Sequence, residues 1–490
     1  MISGFCWPHS GFAKDKISLF CRSTETYVRA EVIRQGLKDE LVWSTDRLRA
    51  DTKSETDSVN QHGCDWDIGT ELSIQSDWPS GFYLVRFVTA QSETAEAYFV
   101  VRSQKPLDAI LVLSTSTWAA YNNWGGPSFY TGSHVSSFER PLPKGFLAKE
   151  DIHRFRIARV VDWSRSDRQD YKNLGYSTWC MAAGWANWEL LFVRWAERNG
   201  ITLGYGTSSD LDASGELLEW YPAYISVGHD EYWSKGMRDT VEDYVDEGGN
   251  AAFFSGNTAF WQARFEDSYK KLVSYKTSIK EDPYFDEPSA PLLSTMWSDP
   301  LVGRPENQMT GVSFSRGGYA RMQNSPRGDG GYQVMDPEHW IFSGLDLKKG
   351  DSLGSEGVVV GYECDGCVFV EDESGARVTG EDGTPLDFSV IAAAPARLWE
   401  TQDGPDALDE NYIGELNWVA ERIGGVDNEE TRGLFDRGYA VMGIFRRKKG
   451  TVFTTGCTDW AYGLETKDVN QVTKNVMERF ILGKKEKANA

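Results

Sequence analysis

The sequence predicts a mostly parallel, doubly wound α/β sheet preceded by an all-β, immunoglobulin-like sandwich. Up to residue 104, short alternating patterns typical of strands follow one another without a helical period between them. Beyond that point, strand-like runs alternate with amphipathic helical runs. A chain of 490 residues is also long enough to build more than one core. We therefore expect the sandwich over residues 1–104 and the α/β domain over residues 105–485.

Five runs in the first segment alternate apolar and polar residues, as half-buried strands do. They are "KISLFCRS", "YVRAEVIR", "GTELSIQS", "GFYLVRFVTA" and "AEAYFVVRS". Turn-forming stretches such as "WPSG" separate several of them. This spacing is typical of an immunoglobulin-like sandwich.

The second segment opens with the strand "LDAILVLSTST", the helix "MAAGWANWELLFVRWAERNG" and the strand "ITLGYGTSSD". The strand "AYISVGHDE", the helix "SKGMRDTVEDYVDEGG" and the strand "NAAFFSGN" follow. Strand-helix-strand repeats of this kind favour a parallel sheet. Residues 262–440 are less regular, and we expect them to form a β-rich insertion that covers one edge of the sheet. The chain then returns with two strands in "YAVMGIFRRKKGTVFTTGCTDW" and the helix "DVNQVTKNVMERFIL".

Composition restricts the class of partner. The formal net charge of −22 disfavours nucleic acid and anionic membrane surfaces, and it suits small neutral or cationic ligands better. The sequence shows no secretory leader and no apolar run of roughly 18 residues, so we expect a cytoplasmic protein without membrane contact. Seven scattered cysteines favour reduced core thiols over a disulfide framework.

Ligands of open α/β sheets bind at the carboxyl ends of the strands, which directs attention to three segments. They are "STSTWAAYNNWGGPSFY", "GHDEYWS" and "SGNTAFW". In an extended exit, His229 and Glu231 project to the same side while Asp230 faces away. A histidine and a carboxylate on one side can bind a metal or act as an acid/base pair. The alternative is that His229 caps the strand end and Glu231 starts the next helix near Ser234.

The first segment contributes Tyr121 and Tyr130, set in a glycine-rich loop that lets backbone approach a ligand. As phenolates they are hard anionic ligands suited to trivalent iron; as phenols they simply pack. Asn257 is a candidate for holding substrate or water, with a helix N-cap as its alternative. Four tryptophans are candidate pocket walls or core residues: Trp118, Trp124, Trp233 and Trp261.

Several short motifs, in this order, resemble the large, iron-bearing subunit of N,N-dimethylformamidase and its relatives. They are "TWAAYNNWGG", "SFY" followed by "RPLPKGF", "GHDEYWS", "FSGNTAFW", "HWIFSG", "VVGYE" and "TTGCTDWAYGL…VTKNVMERF". The resemblance covers most of residues 107–482 and makes the α/β unit the expected catalytic domain. The preceding segment, "PSGFYLVRF…AYFVVR", resembles the domain that precedes the catalytic one in that family.

The resemblance implies a mononuclear Fe³⁺ site held by Tyr121, Tyr130 and Glu231, with His229 beside it. Tyr121 and Tyr130 lie closer together in this sequence than the corresponding pair does in the family enzyme, because a long intervening segment is absent. This makes Tyr130 the least secure of the three expected ligands.

Asn257 matches the family's active-site asparagine, and Glu363 in "GYE" matches a further acidic site residue. The chain also has no counterpart of the family enzyme's jelly-roll region, so its substrate is expected to differ. Either His229 or Glu363 would be the general base, and the sequence does not choose between them.

The resulting prediction is an iron-dependent hydrolase of small N-substituted amides, with a small-molecule amide as partner and self-association left open. Two alternatives stay open. One is an amidotransferase-like hydrolase with its own nucleophile, because the alternating sheet resembles that fold too; Ser255 is then the only hydroxyl candidate at a strand exit. The other is a non-enzymatic protein that binds a carbohydrate or another ligand in an aromatic cleft.

Overall fold

The computed structural model describes residues 2–53, 57–159, 171–286, 291–373, 375–404 and 412–488. In chain order the strands are β1 (Ile2–Trp7), β2 (Ser10–Gly11), β3 (Lys16–Ser23), β4 (Tyr27–Gln35), β5 (Asp39–Arg49), β6 (Thr70–Ser73), β7 (Gly81–Val88), β8 (Thr94–Val101), β9 (Ala109–Leu113), β10 (Val135–Ser137), β11 (Leu203–Thr207), β12 (Ala223–His229), β13 (Tyr232–Ser234), β14 (Asn250–Gly256), β15 (Trp261–Glu266), β16 (Lys271–Val273), β17 (Ser313–Tyr319), β18 (Tyr332–Val334), β19 (Ser352–Leu353), β20 (Glu363–Gly366), β21 (Phe369–Asp372), β22 (Gly375–Val378), β23 (Ser389–Ala396), β24 (Gly438–Arg447) and β25 (Gly450–Thr454).

The helices are fewer and mostly short. The α-helices are Val59–His62, Thr115–Tyr121, Glu189–Arg198, Ser208–Ala213, Glu216–Glu219, Lys235–Asp246, Asn307–Thr310, Glu415–Arg422, Glu429–Gly433 and Lys467–Ala488. Short 3₁₀ turns occupy Ile157–Arg159, Ile279–Glu281, Trp340–Phe342, Thr401–Asp403 and Thr458–Gly463. No helix in the described ranges combines the length and apolar character needed to cross a bilayer.

The first hundred residues form two sheets, with strand orders β1-β3-β6 and β2-β8-β7-β4-β5. Apolar and polar residues alternate along these strands, so each sheet has one apolar face; in β3 every second residue is buried. Those side chains, among them Ile17, Leu19 and Cys21, meet Val85 and Phe99 of the second sheet in a shared core. All five predicted strand runs are found as strands. The immunoglobulin-like topology and the boundary at residue 104 stay predictions.

The prediction of a mostly parallel, doubly wound sheet is wrong. The central sheet is mixed and has nine strands in the order β11-β9-β12-β14-β25-β24-β23-β18-β19. The first five pair in parallel, whereas every pairing from β25 to β19 is antiparallel. The strand-helix-strand alternation therefore describes only one half of the sheet.

The second half is antiparallel for two local reasons. A two-residue turn at Lys448-Lys449 joins β24 directly to β25, and so short a connection forces an antiparallel pair. The segment 262–440 does not merely cover an edge, because it contributes β18, β19 and β23 to the same sheet. The connection from β23 to β24 includes the short helices Glu415–Arg422 and Glu429–Gly433, and the two strands still pair antiparallel.

Residues on the two faces of β9 enter different cores. Ala109, Leu111 and Leu113 pack into the larger core, while Ile110 and Val112 pack into the other. Both faces of the parallel half are therefore covered, which explains its continuous apolar runs. The helix predicted in residues 181–200 begins only at Glu189. All seven cysteines are free thiols, as the scattered pattern predicts.

Candidate active site

The structure brings all six residues singled out in the sequence to one place. The helix that follows β9 ends at Tyr121, and β12 ends at His229. Strand β14 lies beside β12 in parallel register, so its exit places Asn257 next to His229. Glu363 opens β20. Carboxyl ends of neighbouring parallel strands meet at one edge of a sheet, and this edge is where the side chains gather.

His229 lies between two carboxylates. Its Nε2 is 2.6 Å from Glu363 Oε2 and 3.2 Å from Glu231 Oε2, and all three side chains are buried. Its Nδ1 lies 2.7 Å from the carbonyl oxygen of Ala182. A carbonyl only accepts hydrogen bonds, so Nδ1 carries a hydrogen and Nε2 is the nitrogen that faces the carboxylates.

The electrostatics favour an ionised Glu231 beside a protonated His229 imidazole. Burial by itself lowers the pKa of His229, but Glu363 and Glu231 together raise it well above its usual value. Burial likewise opposes the charge of Glu231, whereas its hydrogen bond to His229 and the charge there lower the Glu231 pKa. The charge on His229 and the charge on Glu231 therefore stabilise each other.

The backbone explains why His229 and Glu231 share a side. Asp230, between them, points the other way and accepts a hydrogen bond of 2.7 Å from Ser226. The Glu231 backbone N–H donates to Thr117 Oγ1 at 2.9 Å. Glu231 does not start the next helix, because Ser234 caps Lys235–Asp246. The alternative of a simple strand end followed by a helix start is therefore wrong for Glu231.

Two tyrosines close the other side of Glu231. Tyr130 Oη is 2.7 Å and 2.9 Å from the two Glu231 carboxylate oxygens, and it accepts a 3.0 Å hydrogen bond from Tyr232 Oη. The ring of Tyr121 stacks on that of Tyr130, with centroids 4.3 Å apart. Burial, reinforced by the charge of Glu231, raises the pKa of both Tyr121 and Tyr130 well above the ordinary phenol value.

Asn257 supplies a polar group between the strands. It adopts a left-handed backbone conformation with φ 49°, and its Nδ2 donates to Glu363 Oε2 at 3.2 Å. Its Oδ1 is buried and has no hydrogen-bond partner within the described part of the chain. Strand β15, not a helix, is the next regular element after this residue, so the N-cap alternative is wrong. The free acceptor suits a substrate N–H or a water molecule.

The oxygen donors of this site fit a hard cation. In the described ranges, histidine, cysteine, aspartate and glutamate side chains form no group of three or more that could hold a metal. A metal here would therefore depend on Tyr121 and Tyr130 beside Glu231. Ionising two buried phenols next to a carboxylate requires a compensating positive charge, and hard trivalent cations prefer phenolate and carboxylate oxygen.

Two neighbouring spaces border these residues. An inner cavity of about 40 Å³ is lined by Tyr121 and Glu363 among others, and an outer cleft of about 530 Å³ opens beside it. Tyr130, Tyr412 and Glu415 line both spaces. These three side chains therefore form a wall that the two spaces share.

Sequence reasoning missed several residues around the two spaces. Glu415 opens the helix Glu415–Arg422, and Lys276 lies in a loop after β16, so neither has a periodic pattern. Tyr362 lines the inner cavity and directly precedes Glu363, which was the one available signal. Of the four candidate tryptophans, Trp261 lines the outer cleft. Trp118 and Trp233 are core residues, and Trp124 packs edge-on against Trp66.

The nucleophile alternative receives no geometric support. Ser255 Oγ lies 3.0 Å from Ser226 Oγ and 2.9 Å from Thr258 Oγ1, so it belongs to a buried network of hydroxyls. Cys457 and Cys364 are buried too, and burial raises the pKa of both thiols. A nucleophile needs a base within hydrogen-bond reach, and these contacts supply none.

Comparisons with known proteins bear on the same region. A family model described as "N,N-dimethylformamidase beta subunit-like, C-terminal" matches residues 29–474. The N,N-dimethylformamidase beta subunit of Paracoccus aminophilus is 24% identical over 344 residues, which is 62% of this chain and 42% of that protein. The subunit of the same name from an Alcaligenes species is 24% identical over 462 residues, or 85% and 54% respectively.

The chain spans about half the length of these two relatives. Among solved structures, murine CEACAM1b aligns over 23% of this chain and 63% of its own at 12% identity. With a TM-score of 0.12, this alignment does not indicate a shared fold. The family match extends over nine-tenths of the residues, including all six site residues. This chain therefore belongs to the N,N-dimethylformamidase beta subunit-like family.

Proposed function

We propose that this protein is a ferric-iron-dependent hydrolase of small N-substituted amides. The observation that carries the proposal is the position of His229 Nε2 between Glu363 and Glu231, with Tyr130 in contact with the same Glu231. This arrangement combines a proton-transfer group with a set of hard oxygen donors. Family membership adds support, since relatives are named N,N-dimethylformamidase beta subunit.

Tyr121, Tyr130 and Glu231 would hold the iron. When bound, a ferric ion polarises a carbonyl group and lowers the pKa of a water molecule. Tyr232 would support this set of ligands, because it donates a hydrogen bond to the Tyr130 oxygen. Such outer contacts orient a ligand and tune its basicity.

His229 and Glu363 would move the protons. The attacking water gives a proton to the pair, and the pair returns one to the departing amine nitrogen, so the proton count balances. The Ala182 carbonyl holds Nδ1–H, which keeps Nε2 directed at Glu363 during both transfers. The free Oδ1 of Asn257 would accept from the substrate N–H or the water and so orient it.

The test is hydrolysis of an amide panel by iron-loaded protein. The purified protein would be assayed for amine release from N-alkyl formamides, acetamides and larger amides. We expect amine release from at least one class, with a substrate other than dimethylformamide preferred, because the segment between Tyr121 and Tyr130 is short. Iron content of about one per chain should accompany activity.

The same measurements separate the remaining alternative. A protein that only binds a carbohydrate or another ligand needs no iron, so metal-free protein that binds ligand without amine release would favour it. Failure of the whole panel with iron bound would reject amide hydrolysis.

A further inference from the structure

The lining of the inner cavity consists mainly of aromatic side chains. Of the 13 described residues around it, seven are tyrosine or tryptophan, and the charged ones are Glu363 and Glu415. No lysine, arginine or histidine of the described ranges belongs to this lining, because His229 and Lys276 lie outside it. Aromatic rings attract a cation over their faces, and carboxylates add charge of the opposite sign. The lining therefore suits a small organic cation.

The rings around this cavity form two groups. Tyr319 stacks on Trp399 with ring centroids 3.7 Å apart, and its ring lies 6.1 Å from that of Tyr362. The Trp179 ring lies 5.7 Å from the Tyr121 ring in the second group. Members of both groups line the same small space, so an ion inside it contacts rings from both. Such contacts are strongest where the cation is removed from water.

Glu415 is the carboxyl of this lining that forms no ion pair with a described residue. Its Oε2 accepts a hydrogen bond of 2.8 Å from Tyr412, and its Oε1 lies 3.4 Å from the Tyr319 hydroxyl. Burial raises the Glu415 pKa to about 7, whereas the charge of Lys276 acts to lower it. A further cation beside Glu415 would favour its ionised form in the same way.

The carboxylates of this region already act on one ammonium group. Lys276 Nζ lies 3.5 Å from the centroid of the Tyr130 ring. Burial lowers the Lys276 pKa to about 8, and the charges of Glu231, Glu415 and Glu363 oppose that shift. The region therefore stabilises positive charge, and an ammonium over an aromatic ring is a contact that this protein already makes.

We propose that the inner cavity binds a small alkylammonium ion such as dimethylammonium. Its volume of about 40 Å³ limits the ion, because a water-sized sphere occupies roughly 10–15 Å³ and the cavity therefore holds about three or four heavy atoms. The role of this ion rests on the proposed amide hydrolysis: water adds across the C–N bond, and the amine that leaves takes up a proton. The preferred amides then carry small alkyl groups on nitrogen, and the released ammonium ion inhibits the enzyme.

The binding test compares dimethylammonium chloride with ethanol, which has the same number of heavy atoms and no charge. In ligand-observed NMR titrations we expect the protein to bind the ion at least about tenfold more tightly. Glu415→Gln keeps the shape of the side chain and should remove most of this preference. Glu281→Gln removes an exposed acid that lines only the outer cleft, so it should change nothing. Equal affinities in the parent, or loss of ion binding in Glu281→Gln, would overturn the proposal.

A ring variant tests the aromatic wall. Trp399→Leu removes the ring that stacks on Tyr319 and should weaken ion binding about tenfold, whereas Trp399→Phe keeps a ring and should retain most of it. Circular dichroism checks folding. If Trp399→Leu is misfolded, Trp399→Phe and Glu415→Gln decide. Full binding in a folded Trp399→Leu chain would reject the aromatic site.

Kinetics separate this inference from the proposed function. Dimethylammonium chloride should inhibit release of the carboxylate product competitively in the parent, and about tenfold less strongly in Glu415→Gln. Binding of the ion to the cavity in a protein that hydrolyses no amide supports the ammonium site and rejects the enzyme. Hydrolysis of amides by a protein that binds dimethylammonium no better than ethanol supports the enzyme and rejects the ammonium site.

Discussion

His229 Nε2 lies 2.6 Å from Glu363 Oε2. This contact joins the end of the parallel strand β12 to the start of β20, which belongs to residues 262–440. Asn257 donates to the same Glu363 oxygen. A buried carboxylate with two such donors is held in one orientation, which is what proton transfer in a fixed geometry requires. Loss of either member should therefore affect turnover far more than folding.

The first prediction concerns this pair. Glu363→Gln keeps the shape of the side chain but cannot take a proton, so turnover of any amide substrate should fall by about 100-fold or more. Iron content should stay at the parental value, because Glu363 is not one of the proposed ligands. Glu356→Gln, at an exposed position in the same segment, is the control and should retain full activity. An active Glu363→Gln chain would reject its role in proton transfer.

The second prediction concerns the oxygen donors. Iron bound by phenolates absorbs visible light, so Tyr130→Phe should weaken or remove that band, and Glu231→Ala should lose iron and activity together. His229→Ala should keep most of the iron while losing turnover. Tyr232→Phe is the matched control, since it removes only a hydrogen bond to the Tyr130 oxygen and should shift the band without removing iron. A metal-free His229→Ala chain would make His229 a ligand and our division of roles wrong.

The sequence predicts the strands, and the sheet edge that carries the site, wherever the local residue pattern is sufficient. Strands β9, β12 and β14 are short, mainly apolar runs that are buried almost throughout, and the spacing of two between His229 and Glu231 fixes a common side. The antiparallel half could not be predicted in this way. Whether β23 pairs with β24 or covers an edge depends on long-range register, which single-strand patterns do not encode.

Sequence patterns likewise do not predict which loop residues reach the site. Lys276 and Glu415 reach the cleft from segments without period, and their partners lie far away in the sequence. Glu363 was identified only by resemblance to a motif, since nothing near it indicates that β20 approaches β14. Tyr121 and Tyr130 are close together in the sequence, and their rings stack in the structure. Their roles as ligands stay a prediction.

A third prediction follows from Glu306, a carboxyl remote from the proposed chemistry. Its Oε1 accepts from Ser313 Oγ, while its buried Oε2 has no partner in the described ranges. Burial raises the pKa of Glu306 from 4.5 to about 7. Between these pH values the unfolded chain releases the proton and the folded chain keeps it. The free energy of unfolding therefore falls as pH rises. At about 1.4 kcal/mol per pH unit, the loss amounts to about 3 kcal/mol.

Glu306→Gln removes this titration and keeps the hydrogen-bonding shape. The unfolding free energy of the variant, relative to the parent, should therefore rise by up to about 3 kcal/mol between pH 4.5 and 7 and stay level above. Urea unfolding at several pH values measures it, with Glu356→Gln as the exposed control. A difference between variant and parent that does not change with pH would show that Glu306 is ionised in the folded protein.

The last prediction concerns Gly256, which ends β14 immediately before Asn257. A Cβ at this position would lie 2.5 Å from the Thr458 nitrogen and 2.6 Å from both the Cys457 carbonyl carbon and the Glu363 carbonyl oxygen. All three are backbone atoms, so an alanine cannot be accommodated by a side-chain rotation. Gly256→Ala must move β14 away from β20, which costs about 1–3 kcal/mol of folding stability and separates Asn257 from Glu363.

Activity should fall more than stability alone accounts for, because a displacement of even 1 Å misaligns the His229–Glu363 pair. Gly433→Ala is the matched control, since a Cβ there meets no atom within 4 Å and the position is helical. That control should be neutral or slightly stabilising. Urea unfolding and amide turnover, measured on both variants, decide the point. A stable Gly256→Ala chain with parental turnover would show that the close approach of β14 and β20 does not position the site.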